Sequence, residues 1–257
     1  MKTGKMINAL LAGLMAVSMA GCGSNDKASG GDAPAADAQN IIIAISPDYP
    51  PFDDLTTDGE LTGFDVEMGD WIFDWLNENG YSFTHEWKQL SFDTIISAIQ
   101  ANQVDLGLSG FTYDPERKVL FSDPYYGSAE VAMVTADSAI KTLDDLANKA
   151  IGAQAGTTGE QCANEIEGAV VTAMQDMGIL VETLKTGGID ALILDEPVAK
   201  NYAASGAFTV LDGALIDEET HIIAAEGNTE LMDAVNKALK AFLESDECKA
   251  LKEKYGL

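Results

Sequence analysis

Two charged residues of this chain, Arg117 and Asp195, have the type and setting that binding chemistry requires. The stretch Ser109 to Tyr126 reads Ser-Gly-Phe-Thr-Tyr-Asp-Pro-Glu-Arg-Lys-Val-Leu-Phe-Ser-Asp-Pro-Tyr-Tyr, and it comes after an apolar run, Val104 to Leu108, that reads as a buried strand. Asp114-Pro115 predicts a helix start, because Asp caps free N–H groups and Pro suits the first turn. Arg117 then stands three residues beyond the cap, where a cation opposes the helix dipole at a cost of a few tenths of a kcal/mol. An anion bound at the same place offsets that cost. The backbone N–H groups of Gly110 and Phe111, the Thr112 hydroxyl and the guanidinium fork together make a small carboxylate pocket. The other reading is a surface Arg117 pairing with Glu116 or Asp123, and this stretch alone leaves both open. Further on, Ile189 to Pro197 reads as a buried strand ending in two carboxylates, Asp195 and Glu196. Asp195 at a strand end facing a cleft suits an ammonium group; it equally suits the cap of a helix through Val198 to Ala204.

The elements that would position these groups alternate strand and helix. Ile41 to Ile45 is a continuous apolar run of strand length, succeeded by the proline-rich loop Ser46 to Phe52, which presents two aromatic rings. Asp58-Gly59 marks a turn. Met68, Trp71, Ile72, Trp75 and Leu76 repeat at helical spacing, with Asp65 as a candidate N-cap. Tyr81 to Trp87 alternates like a strand, and Phe92 to Ile99 is helical. This β-α-β-α-β order is that of an open α/β sheet, in which ligands sit beyond the carboxyl ends of strands. The rule brings the loops Ser46–Phe52 and Ser109–Arg117 together. The second half repeats the grammar: strands at Val131–Thr135, Ala150–Ala153 and His221–Ala225, and helices at Thr142–Ala147, Met174–Leu184 and Thr229–Phe242. The turn Gln154 to Gly159 is Gly-rich and precedes a helix, a weak signal for an anion site.

Composition narrows the function classes. The 257 residues suffice for one large domain or two modest lobes. A net charge of -27 with only 15 Lys and Arg excludes a nucleic-acid footprint. Lys2 and Lys5, the apolar Ile7–Met19 and the small residues before Cys22 form a processing signal. Gly23 to Asn40, rich in Gly, Ser, Ala and Asp, reads as a flexible tether. Cys162 and Cys248 match no zinc spacing, and His85 and His221 belong to no Cys or His cluster, so no metal or other cofactor is implied.

Met19-Ala20-Gly21-Cys22 resembles a bacterial lipobox, which implies cleavage before Cys22 and lipidation of its thiol, leaving the protein anchored outside the cytoplasmic membrane. Gly63-Phe64-Asp65-Val66, Asp105 through Arg117, Phe121 through Tyr126, Gly156-Thr157-Thr158, Asp190-Ala191 through Asp195, Asn236 through Leu239 and Tyr255-Gly256 occur in this order. Together they resemble the extracellular solute-binding proteins of family 3, which serve polar amino-acid ABC importers, over Ile41 to Leu257. The resemblance implies a type II periplasmic-binding-protein-like α/β fold, with two lobes and two hinge strands closing over a free amino acid. Residues 1–21 would be the signal peptide and 22–40 the tether. Lobe 1 would be 41–130 plus 223–257 and lobe 2 131–222, with crossings near Val131 and Ile222. The resemblance puts Arg117 on the ligand carboxylate with Gly110, Thr112 and Thr158. It puts Asp195 on the ammonium, Tyr49 and Phe92 around the ligand, and Ser46 and Gln154 at its side chain. Asp65 is either a cap or an edge of the site.

With Ser46 and Gln154 at the side-chain positions, the expected cargo is a neutral amino acid, although Asp48, Asp53 and Asp54 are near in sequence. The expected partners are the importer's membrane subunits, and the expected state is a monomer. Two other classes share the fold. One is a periplasmic prephenate or arogenate dehydratase, for which only Glu196 or Asp48 offers an acid. The other is a sensory module for a separate receptor.

Overall fold

The computed structural model describes residues 38–257; the signal segment, Cys22 and the tether up to residue 37 lie outside the described residues. The last tether residues of the expected span, Gln39 and Asn40, belong instead to the first strand, β1 (Gln39–Ile45), whose Ile41, Ile43 and Ile45 are fully buried. A small hairpin, β2 (Asp54–Leu55) and β3 (Leu61–Thr62), precedes α1 (Phe64–Glu78). Phe64, Met68, Ile72 and Leu76 of α1 recur every four residues and line its buried face. Gly63 opens this helix at φ 129, and a Cβ there would run into the Phe52 carbonyl, so only glycine fits.

Next come β4 (Phe83–Gln89), α2 (Phe92–Gln100) and β5 (Leu106–Thr112). The strand expected at Val104–Leu108 therefore starts later and carries Ser109, Gly110 and Thr112 within it. Asp114 does act as a cap, accepting from Glu116 N at 2.8 Å, but the capped element is a single 3-10 turn, Pro115–Arg117, ended by Lys118 at φ 51. So short a turn has almost no macrodipole, and the dipole argument for an anion at Arg117 does not hold. A two-residue β6 (Leu120–Phe121) leads to β7 (Tyr126–Thr135), which begins five residues before the expected strand.

After a 3-10 turn at Leu143–Leu146 come β8 (Ala150–Gln154), α3 (Thr158–Glu165), β9 (Val170–Met174) and α4 (Met177–Lys185). The segment read as a helix from Met174 is thus the end of a strand, then a helix from Met177 capped by Asp176, which accepts from Ile179 N at 2.8 Å. The chain continues through β10 (Ala191–Asp195), α5 (Glu196–Ala203), β11 (Phe208–Val210) and β12 (Ile216–Ala224). The helix expected at Thr229 is α6 (Thr229–Leu243), and one more helix, α7 (Asp246–Tyr255), comes after it.

The sheet order, β4-β1-β5-β12-β7-β10-β8-β9, contains the same device twice. β1 pairs in parallel with β4 on one side and β5 on the other, and β8 does the same with β9 and β10. Each trio is a β-α-β-α-β unit with its first strand in the middle. The chain reverses direction of winding beside that central strand, which opens a crevice at the carboxyl ends. Between the trios, β12 pairs antiparallel with β5 at one end and with β7 at the other, its residues 216–220 lying against 130–126. Cys162 and Cys248 are buried free thiols. No helix among the described residues is long and apolar enough to cross a membrane.

Candidate functional site

Four strand ends meet at one place. Ser46 comes directly after β1, Thr112 ends β5, Gln154 ends β8 and Asp195 ends β10. All four line a narrow pocket, together with Asp48, Tyr49, Phe92, Ser109, Gly110, Arg117, Thr157 and Thr158. The two crevices thus open onto a common space. Asp65 is the one expected site residue that the structure places elsewhere. It lies in the first turn of α1 rather than at its cap, fully buried, where Tyr125 donates to its Oδ2 at 2.7 Å.

Arg117 is buried, not a surface partner of Glu116 or Asp123. Its guanidinium lies over the rings of Phe92 and Phe111, 5.9 and 5.8 Å from their centroids. Those rings stack on each other at 4.7 Å, forming an apolar shelf that holds the cation from below. Nη2 donates to the Gly156 carbonyl at 3.2 Å, whereas Nη1 is buried with no partner among the described residues. Burial lowers the guanidinium pKa, while Asp114 and Glu218 nearby work against that shift. A buried cation with an idle N–H group in a pocket is arranged to receive an anion.

Asp195 is buried beside a second acid. Burial first, and then Glu218, push its carboxyl well above the usual range. Its Oδ1 accepts from Ser128 Oγ at 2.8 Å, and it makes no side-chain cap bond to α5. The capping alternative is therefore not realised, and a cation against Asp195 would relieve the repulsion from Glu218. The backbone turn at Gly156 offers less to an anion than its sequence suggests. Gly156 N is taken by the chain's own Glu160 Oε2 at 2.7 Å, and Thr157 caps α3 by accepting from Glu160 N at 3.2 Å.

A third polar group centres on Asp48, which in the sequence is only a neighbour of the expected side-chain positions. Asp48 Oδ1 accepts from Ser46 Oγ at 2.8 Å; its Oδ2 accepts from Gln154 Nε2 at 2.9 Å and from Met177 N at 2.8 Å. These bonds tie the loop after β1 to β8 and to the start of α4. Burial raises the carboxyl pKa, and the three hydrogen bonds hold it down.

The loop is also tied to β5 from behind. Ser46 N donates to Ser109 Oγ at 3.1 Å, and Ser109 Oγ donates to the buried Asp53 Oδ2 at 2.5 Å. Asp53 and Asp65 share this interior; burial raises Asp65 to about 7 and Asp53 well above the carboxylate range. Gly110, at φ 64, lets the strand pass against the Tyr49 ring, where a Cβ would lie 3.1 Å from the ring edge. Tyr49 also stacks on Phe52, with centroids 6.0 Å apart.

Sequence reasoning missed Glu130 and Glu218, both buried and close behind Asp195. Their signal emerges only from the pairing of β7 with β10 and β12.

Residues 41–257 match the family described as bacterial extracellular solute-binding proteins, family 3. The arginine-binding extracellular protein ArtP of Bacillus subtilis (strain 168) is 32% identical over 260 residues, covering 98% of this chain and 97% of the relative. A crystal structure of the substrate binding protein of an amino acid ABC transporter superposes with a TM-score of 0.78 at 32% identity, over 84% of this chain and 98% of that one. An ancestral arginine-binding protein bound to arginine gives 0.78 at 29% identity, over 84% and 97%; bound to glutamine, it gives 0.75. With its two β-α-β-α-β units, its shared strand-end pocket and this match over residues 41–257, the chain belongs to the bacterial extracellular solute-binding proteins of family 3.

Proposed function

We propose that this protein captures a basic amino acid, L-arginine first, outside the cell and passes it to an ABC importer. The observation that carries the reading is the pocket itself. One lining contains a buried guanidinium with an idle N–H group for a carboxylate, Asp195 for an ammonium, and Asp48 as a third charge. In this reading Arg117 grips the α-carboxylate with help from Gly110, and Asp195 pairs with the α-ammonium; the Thr112 and Thr158 hydroxyls, expected from the sequence on the carboxylate, donate to Glu218 and turn their lone pairs to the ammonium. Tyr49 and Phe92 bury the ligand between them, and Ser46, Asp48 and Gln154 meet its side chain. Asp48 moves the choice of cargo from the neutral amino acid expected from Ser46 and Gln154 to a cationic one. An arginine-binding relative at 32% identity supports the same direction. A glutamine-like cargo is the second reading, supported by Gln154 and by the relative solved with either ligand.

The lobes are taken as 41–130 with 223–257, and 131–222, hinged where β7 lies against β12. The pocket lining comes from both, so a bound amino acid touches both lobes and favours the closed state. Cleavage before Cys22 and lipidation of its thiol would hold the protein, as a monomer, beside the importer.

Calorimetry on protein stripped of carried-over ligand, with each of the twenty amino acids, tests the proposal. Binding of arginine ahead of glutamine is expected. Binding of glutamine alone would select the second reading, and binding of no amino acid would refute both.

A further inference from the structure

The register of the central strands gathers three acids behind the pocket. Glu130 of β7 lies opposite Asp195 of β10 and Ile216 of β12, and Ser128 lies opposite Glu218. Alternation along the strands then puts Glu130, Asp195, Ser128 and Glu218 on one face of the sheet. One carboxylate oxygen from each of Glu130, Asp195 and Glu218 lies within 4.8 Å of the others. Glu130 is 1% exposed and Glu218 8%, and each has one oxygen, Oε2 and Oε1 respectively, buried with no partner among the described residues.

Their contacts with two threonines require a proton. Thr158 Oγ1 is 2.9 Å from Glu130 Oε1 and 2.8 Å from Glu218 Oε2, and Thr112 Oγ1 is 2.8 Å from the same Glu218 oxygen. A hydroxyl has one proton to give, so Thr158 cannot donate to both acids, and one of the two glutamates must be the donor. Glu218 is the acceptor, because two hydroxyls converge on one of its oxygens. Glu130 is more deeply buried. Burial first and then Glu218 push it up to about 8, against the pull of Thr158 and the Gly159 N–H. Its other neighbours offer no cation: Asp195 is an acid, and the Cys162 thiol, pushed up to about 12, stays neutral.

We infer that Glu130 is a positioning residue that donates a hydrogen bond to Thr158. This turns the hydroxyls of Thr158 and Thr112 onto Glu218 and leaves their lone pairs facing the cargo's ammonium. Glu218, on β12, then joins Thr112 of β5 to Thr158 of α3, a link that separation of the two lobes breaks. Ammonium recognition and closure are thereby coupled through one carboxylate. The inference rests on the amino-acid-binding reading of the pocket.

The test is L-arginine affinity by calorimetry from about pH 6 to 9 for native protein, Glu130→Ala, Glu130→Gln and Asp195→Asn. Glu130→Ala should weaken binding about tenfold, the usual effect of losing one buried hydrogen bond. Glu130→Gln, whose amide N–H donates at every pH, should return affinity to within about threefold of native. It should also abolish the weakening that native protein shows as pH rises through about 8. A Glu130→Gln variant as weak as Asp195→Asn would overturn the inference, because Glu130 would then act as an anion. If native protein does not bind arginine, the cargo reading fails separately. Isotope-edited infrared on the glutamates then decides: a protonated-carboxyl band lost in Glu130→Gln supports the role, and absence of the band refutes it.

Discussion

Asp48→Asn separates the charge of the cargo from the geometry of the pocket. Asn is isosteric with Asp and can keep all three native contacts. Its carbonyl, in place of Oδ2, still accepts from Gln154 Nε2 and Met177 N, while its amide, in place of Oδ1, donates to Ser46 Oγ. Only the negative charge is lost. A unit charge pair at about 4 Å and an effective dielectric near 20 attracts by about 4 kcal/mol. Desolvation of both partners reduces the net worth of such a charged hydrogen bond to about 1.5–3 kcal/mol. Arginine affinity should therefore fall about 10- to 150-fold, while glutamine affinity stays within about threefold of native. Titration calorimetry of both ligands against native and variant protein measures the ratio directly. An equal loss for both ligands would mean that Asp48 serves closure alone. No loss for arginine would mean that the side-chain charge is met elsewhere, and the basic-cargo reasoning would fail.

Arg117→Ala should weaken any amino-acid ligand at least about 100-fold, since a buried charge-assisted carboxylate contact disappears. Its circular dichroism should remain native, because the guanidinium makes only one hydrogen bond among the described residues. Asp65, raised by burial to about 7, has a folded pKa above its unfolded one, so its contribution to stability is full in acid and is lost as pH rises through about 7. The melting temperature of ligand-free protein should fall between about pH 5 and 8, and Asp65→Asn should flatten that slope; a rising curve would contradict the buried Asp53–Asp65 arrangement. Gly63→Ala should cost about 3 kcal/mol or more in chemical denaturation, because a Cβ at φ 129 meets the Phe52 carbonyl. A cost below about 1 kcal/mol would show that the turn can shift.

The units of the fold are legible wherever hydrophobic period and length agree. α1, α2 and α6 have long apolar faces, and β1 and β10 are uninterrupted apolar runs. β9 escapes such a reading because Val170 to Met174 is only partly buried and runs straight into a helix of similar composition. The hairpin of β2 and β3 is two residues a side, too short for any period to register. The dipole argument that singles out Arg117 is not sustained by the 3-10 turn; the stacked pair Phe92–Phe111, contributed by an earlier helix and by β5, holds the residue instead. Asp65 is misplaced by the sequence because a helix-starting Asp usually caps, whereas here the tight Gly63 turn moves the helix start two residues earlier and turns the side chain inward. Glu218 sits in a run, Asp217-Glu218-Glu219, that reads as a solvated face until strand alternation sends its middle member inside.

The pairing of β12 with β5 at one end and with β7 at the other, irregular between His221 and Ile223, has a consequence for energy use in the cell. If the two lobes hinge there as proposed, they would swing by a change of twist in paired strands and need break few backbone hydrogen bonds. The barrier between open and shut states would then be low, and an empty molecule would spend a finite fraction of its time shut. Bonds that would join the proposed lobes without a ligand, such as Gln154 to Asp48 and Gln175 to Asp93, would increase that fraction. A shut but empty protein resembles a loaded one to whatever receives it. The strength of those bonds therefore sets a trade between tight capture and idle docking, in which an importer spends nucleotide and moves nothing.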